Sequence, residues 1–154
     1  MSICMLSGHR RLPPDGGALR KRLDARIDAL CQRGVTEFLS GGALGFDLLA
    51  AEAVLEARRR YPQVSLTMVL PCRNQPDRYP QGQKLRYAGI LTRAQRVDCL
   101  SEFYYDGCML MRNRAMAERA DLCLCYLAAS RGGTAHAVAI AAARGLPIIN
   151  LALE

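Results

Sequence analysis

The sequence predicts an α/β domain built on a mostly parallel sheet of about six strands with helices on both faces. Three observations carry that reading. Short apolar runs alternate with longer stretches of helical period along the whole chain. The runs over 122–127 and 146–151 are continuously apolar, as strands covered on two faces are. Glycine turns, Gly41-Gly42 and Gly132-Gly133, stand where a strand hands over to a helix.

In chain order, the first strand is expected over 3–6. The opening residues 1–6 have no basic stretch before them and are too short for a signal peptide, so they read as strand. Ser7-Gly8-His9-Arg10 and a Pro/Gly loop follow. Leu19, Leu23, Ile27 and Leu30 keep the helical period and predict a helix over 18–32, with Gly34 as its C-terminal cap. The second strand, 35–39, stops at Ser40-Gly41-Gly42, and a helix runs from Gly45 to Arg60, where Arg58-Arg59-Arg60 suits its dipole. Residues 64–70 form the third strand and 71–76 a loop. The next helix, 81–95, rests on Leu85, Ile90 and Leu91. A short strand over 97–100, a loop at Tyr104-Tyr105-Asp106-Gly107 and a helix over 108–118 come next. The fifth strand is 122–127. The Ser130-Arg131-Gly132-Gly133-Thr134 turn opens an alanine-rich helix to Arg144, and the sixth strand is 146–151. Ala135, Ala139, Ala142 and Ala143 are small enough for close packing on the sheet. No linker or repeat interrupts the chain, so residues 1–154 read as one domain.

Composition narrows the partners. With 51% hydrophobic residues the chain is globular, and no apolar run is long enough to span a bilayer. The seven cysteines are odd in number and form no CxxC pair, which fits reduced thiols in a cytoplasm and no zinc site. Cys123 and Cys125 share one face of a strand and read as packing residues. A net charge of +7 favours an anionic partner. The cations are spread out, however, and the basic residues 20–33 suit the solvated face of one helix. Tryptophan is absent and the aromatics do not alternate with the basic residues, which argues weakly for a nucleic-acid stacking platform.

In an open parallel sheet the loops after the strands meet on one edge, where ligands bind. The expected ligand-binding set is therefore Gly8, His9 and Arg10; Ser40, Gly41, Gly42, Ala43, Gly45 and Asp47; Pro71 and Cys72; Arg112 and Asn113; and Gly132, Gly133 and Thr134. Helix N-termini after glycine turns offer backbone N–H donors and partial positive charge to an anion, and the same turns serve plain packing. An arginine in the first half of a helix opposes the dipole, so Arg112 reads as a phosphate grip, while Arg114 reads as exposed or ion-paired. His9 is either an acid–base group or a structural hydrogen-bonding residue; His136 is structural. Asp47 suits the helix dipole, or accepts from a ribose hydroxyl, or is a catalytic carboxylate. Glu52 reads as a salt-bridge residue, and Thr134 as a cap or a phosphate ligand. There is neither a G-x-G-x-x-G nor a Walker A pattern.

Ser7-Gly-His-Arg10, Ser40-Gly-Gly-Ala-Leu-Gly-Phe-Asp47, Leu70-Pro-Cys72, Cys108-Met109, Met111-Arg-Asn-Arg114 and Gly132-Gly-Thr134, in this order, resemble the YpsA-like family. That family belongs to the SLOG superfamily with the DNA-processing protein DprA and the LOG-type, lysine-decarboxylase-like proteins. The resemblance covers residues 3–151 and implies a Rossmann-like fold with a pocket for a nucleotide or nucleotide-derived ligand. LOG-type phosphoribohydrolases carry an Arg-Lys pair and P-G-G-x-G-T-x-x-E; here Asn113 follows Arg112, and Ala137 stands at the position of the glutamate. DprA binds single-stranded DNA. The expectation is a binding or sensing domain for a nucleotide-like small molecule, with no resident cofactor or metal and no membrane partner. A phosphoribohydrolase and a single-stranded DNA binder are the alternatives, and the relatives admit a homodimer.

Overall fold

A computed structural model describes residues 2–154; Met1, at the head of the first predicted strand, lies outside the described residues. The strands are β1 (Ser2–Gly8), β2 (Val35–Ser40), β3 (Ser65–Leu70), β4 (Arg96–Cys99), β5 (Leu122–Tyr126) and β6 (Ile148–Asn150). The helices are α1 (Gly16–Gln32), α2 (Phe46–Ala57), α3 (Gln81–Arg93), α4 (Cys108–Arg119) and α5 (Gly133–Ala143). Two 3-10 turns, Gln75–Arg78 and Leu151–Leu153, were not foreseen, since so short a turn has no apolar period to read.

All six strands run parallel in the order β4-β3-β2-β1-β5-β6. Strand period sorts side chains to two faces. Leu6, Phe38, Leu66 and Leu124 face the layer of α1, α2 and α3, where Leu23, Val54 and Ile90 are buried. Met5, Leu39, Val69 and both Cys123 and Cys125 face the other layer, with Met116 and Ala117 of α4 and Ala141 of α5. The cysteine pair is therefore packing material, and all seven thiols are free.

Three local expectations change. The final strand shrinks to Ile148–Asn150, because it is an edge strand and half-buried rather than covered on both faces. Helix α2 ends at Ala57; Arg58 and Arg60 lie beyond it, where Arg58 Nε donates to Val64 O at 2.7 Å and Arg60 pairs with Asp28 at 2.6 Å. On α5 the packed face is Thr134, Ala137 and Ala141, while Ala139, Ala142 and Ala143 are exposed. An all-small helix has no period that marks its buried side. Among the described residues no helix is long and apolar enough to cross a membrane, and no group of three His, Cys, Asp or Glu is placed to hold a metal.

Candidate functional site

Two adjoining cavities at the C-terminal edge of the sheet take in most of the expected residues, beside a shallow depression between the loops after β1 and β5. The first, about 240 Å³, lies between the end of β1, the start of α2, one face of α4 and the first turn of α5. The second, about 640 Å³, lies between the 3-10 turn after β3 and the loop after β4. Arg10 and Met109 line both.

The first cavity is organised around Asp47, which is 5% exposed. Burial raises its carboxyl from the ordinary 3.8 to about 6. Arg112, the N–H groups of Ala43 and Gly8, and Arg10 oppose that rise by favouring the charged form. Ala43 N–H donates to Asp47 Oδ2 at 3.2 Å, Phe46 N–H to His9 O at 3.0 Å, and Gly42 N–H to Ser40 Oγ at 3.3 Å. The turn between β2 and α2 thus directs its donors at groups of the protein itself, and the anion it holds is the Asp47 carboxylate. Two glycines permit the close approach. A Cβ on Gly8 would stand 2.2 Å from Phe46 Cγ, and one on Gly45, at φ +78°, 2.2 Å from Arg10 O.

Arg112 is buried, and its donors are largely spent inside. Nη1 donates to Gly41 O at 2.7 Å, Nε to Asn113 Oδ1 at 2.9 Å, and Nη2 points at Met109 Sδ at 3.7 Å. Its positive charge still faces Asp47. The Gly41-Gly42 carbonyls are held from the other side as well. Gln75 Nε2 donates to Gly41 O at 3.1 Å, and the Tyr79 hydroxyl, which burial keeps protonated, to Gly42 O at 3.0 Å. Ser40 is buried and donates to Asp47 O at 3.2 Å.

His9 makes a structural bond: its Nε2 accepts from Ala128 N–H at 2.8 Å and ties the loop after β1 to the loop after β5. Opposite Asp47, α5 begins at Gly133, preceded by Gly132 and without a side-chain cap. Gly133 and Thr134 line the cavity, so the unpaired N–H groups and positive dipole end of α5 stand at its wall.

Of the expected residues, Gly8, His9, Arg10, Ala43, Asp47, Arg112, Asn113, Gly133 and Thr134 line the first cavity. Ser40, Gly41, Gly42 and Gly45 support it from behind. Cys72 lines the second cleft instead, its thiol pushed up by burial. Pro71 and Gly132 line neither cavity. Glu52 is paired with Arg86, and Arg114 is exposed. Sequence reading missed Met109 and Met116, although 109, 112, 113 and 116 share one helical face. It also missed Gln75, Tyr79 and Tyr104 of the second cleft.

A family model described as the YspA SLOG family matches residues 13–144. A UPF0398 protein of Halalkalibacterium halodurans is 30% identical over 105 residues, which is 67% of this chain and 56% of that protein. A UPF0398 protein of Bacillus velezensis is 24% identical over 143 residues, 88% of this chain and 79% of the relative. Among solved structures, DNA processing protein A from Streptococcus pneumoniae matches with a TM-score of 0.69 at 20% identity, over 97% of this chain and 50% of that one. DNA processing protein A from Helicobacter pylori, described by its single-stranded DNA binding mode, matches with a TM-score of 0.66 at 22% identity, over 97% and 64%. At these identities the structural likeness is one of fold. The chain spans little more than half the length of the first of these relatives.

Proposed function

The chain belongs to the YspA SLOG family, and from that premise we propose that it binds a nucleotide or nucleotide-derived anion in the cavity at the C-terminal edge of its sheet, as a ligand-sensing domain. One observation carries this reading. The buried Asp47 carboxylate and the uncapped N-terminus of α5 face one cavity from two sides. A carboxylate accepts from sugar hydroxyls, and a helix N-terminus receives a phosphate. A sugar phosphate presents both. Arg10 is exposed at the rim and makes no ion pair among the described residues, so its guanidinium can add a phosphate to its longer-range pull on Asp47.

The test is a thermal-shift screen against nucleoside monophosphates and their derivatives, with product analysis on every hit. A ligand that binds only the folded chain adds about 2.7 kcal/mol at a hundredfold excess over Kd. At least one nucleotide should raise Tm, and Arg10→Ala should shrink the rise. A panel with no effect on Tm sinks the reading. Release of free base would move the function to the phosphoribohydrolase alternative. There Asp47 would have to act, because it is the carboxylate that lines the cavity and Ala137 offers none.

A second reading, single-stranded nucleic acid along the same edge, draws on the exposed Phe103, Tyr104 and Tyr105 beside the clefts. It requires retention of single strands that falls steeply with salt; no retention at low salt removes it.

A further inference from the structure

The second cleft lies outside the sugar-phosphate cavity and meets it at Arg10 and Met109. At about 240 Å³ the first cavity is smaller than the ~300–1,000 Å³ of sites that enclose a whole small molecule. A nucleotide bound there by its sugar and phosphate needs further room for its base. The 640 Å³ cleft past Arg10 and Met109 offers that room.

Its walls suit a planar ring with polar edges. Tyr104 stands at the cleft with its residue 57% exposed. Its backbone is nonetheless tied to the neighbouring loop. Its N–H donates to Asn74 Oδ1 at 3.0 Å, Arg73 binds Glu102 through two hydrogen bonds of 2.9 and 3.1 Å, and Arg73 N–H donates to Ser101 O at 2.9 Å. An aromatic side chain on a loop so tied is a ready surface for stacking.

Gln75 supplies the second, independent sign. Its Nε2 is used twice, on Gly41 O and on the Tyr87 hydroxyl at 3.4 Å. Its Oε1 is closed to solvent and has no donor; among the described residues every other buried side-chain nitrogen or oxygen has a partner. A buried acceptor without a donor is destabilising, and such an orphan calls for a physical reason. An N–H brought into this cleft by a ligand is the missing donor. The terminal torsion of a glutamine is soft, and turning the amide towards the cleft exchanges the Nε2 bonds to Gly41 O and the Tyr87 hydroxyl for the bond to the ligand.

We propose that this cleft is the base subsite of the nucleotide site, and that it takes a nucleobase bearing an exocyclic amino group. The base stacks on Tyr104, its amino group donates to Gln75 Oε1, and Arg10 sits at the joint beside the phosphate. The proposal rests on the nucleotide reading of the first cavity.

Calorimetric titration of the full chain with three probes tests it: ribose 5-phosphate, adenosine 5′-monophosphate, and purine riboside 5′-monophosphate, which lacks only the amino group. Adenosine monophosphate should bind about tenfold or more tighter than the purine riboside analogue, the scale of one buried hydrogen bond. Gln75→Leu should erase that difference, read as the ratio of the two nucleotide affinities within the variant, because any loosening of the Gly41 turn weakens both nucleotides alike and cancels. Tyr104→Ala, an exposed site whose backbone bond to Asn74 survives, should weaken both nucleotides and spare ribose 5-phosphate. Equal affinity for adenosine monophosphate and its deamino analogue, or for ribose 5-phosphate and both nucleotides, overturns the base subsite alone. If none of the three probes binds, the nucleotide reading falls and takes the subsite with it.

Discussion

Arg112 Nη1 donates to Gly41 O at 2.7 Å, joining α4 to the turn after β2 across 71 residues of chain. A Cβ on Gly41 would lie 2.2 Å from that nitrogen. The guanidinium and the glycine therefore occupy one another's space, and each presupposes the other.

This pair gives a double-mutant cycle. Gly41→Ala should destabilise by about 1–3 kcal/mol, because it pushes a buried, hydrogen-bonded guanidinium off its partner. Arg112→Ala should lose a similar amount through its bonds to Gly41 and Asn113. Combined, the two should fall well short of the sum, since each removes the other's reason. Urea unfolding of the four proteins measures the coupling; strict additivity would show that the contact carries no energy.

Asp47 predicts a pH dependence of definite sign. Its folded carboxyl titrates at about 6 against 3.8 ordinarily, so between those values the folded chain holds the proton more tightly. Stability from this group is thus full below pH 4 and is lost as pH rises through 6, by about 2–3 kcal/mol. Asp47→Asn should flatten that part of the pH–stability curve. A curve that keeps the same fall in the variant assigns it to another group.

Gly8 tests the packing behind the cavity. A methyl there would overlap the buried Phe46 ring, with 2.2 Å to Cγ and 2.4 Å to Cβ. The ring sits at 0% exposure within the core. Gly8→Ala should destabilise by about 2–3 kcal/mol, read as a drop in the denaturant midpoint. An unchanged midpoint would show that the ring and the strand end give way without cost.

His9 tests the joint between two loops. Removing its Nε2 leaves Ala128 N–H without its acceptor. His9→Ala should speed hydrogen exchange at Ala128 and cost about 1 kcal/mol, with little change at the far edge of the sheet. Unchanged exchange at Ala128 would mean that water already replaces the imidazole.

Much of this molecule was readable before its shape was known, and the exceptions have physical causes. Leu19, Leu23 and Ile27 mark a helix because one face of α1 is buried and the other wet. The convergence of the 40–47 turn with Arg112 follows from parallel strands ending on one edge. Strand order was not readable, since local patterns do not say which neighbour a strand pairs with. Asp47 looks like an ordinary first-turn acid until the fold buries it against Gly8 and Arg112. Gln75 and Tyr79 belong to a turn too short to have a period. Ala139 looks packed because it is small, but exposure on α5 is set by which side meets the sheet.

The sheet order also sets a sequence of assembly. Strands β1 to β4 neighbour one another in the order of synthesis, whereas β5 must return to β1, pairing Leu122 with Cys4. The cavity's last walls, Arg112 on α4 and Thr134 on α5, arrive with that returning half. A nascent chain can gather its first four strands by short-range pairing while its pocket is still open on one side. Any molecule that this cavity binds would meet its full site only after that closure, and would act by mass action as a latch on the final third of the chain.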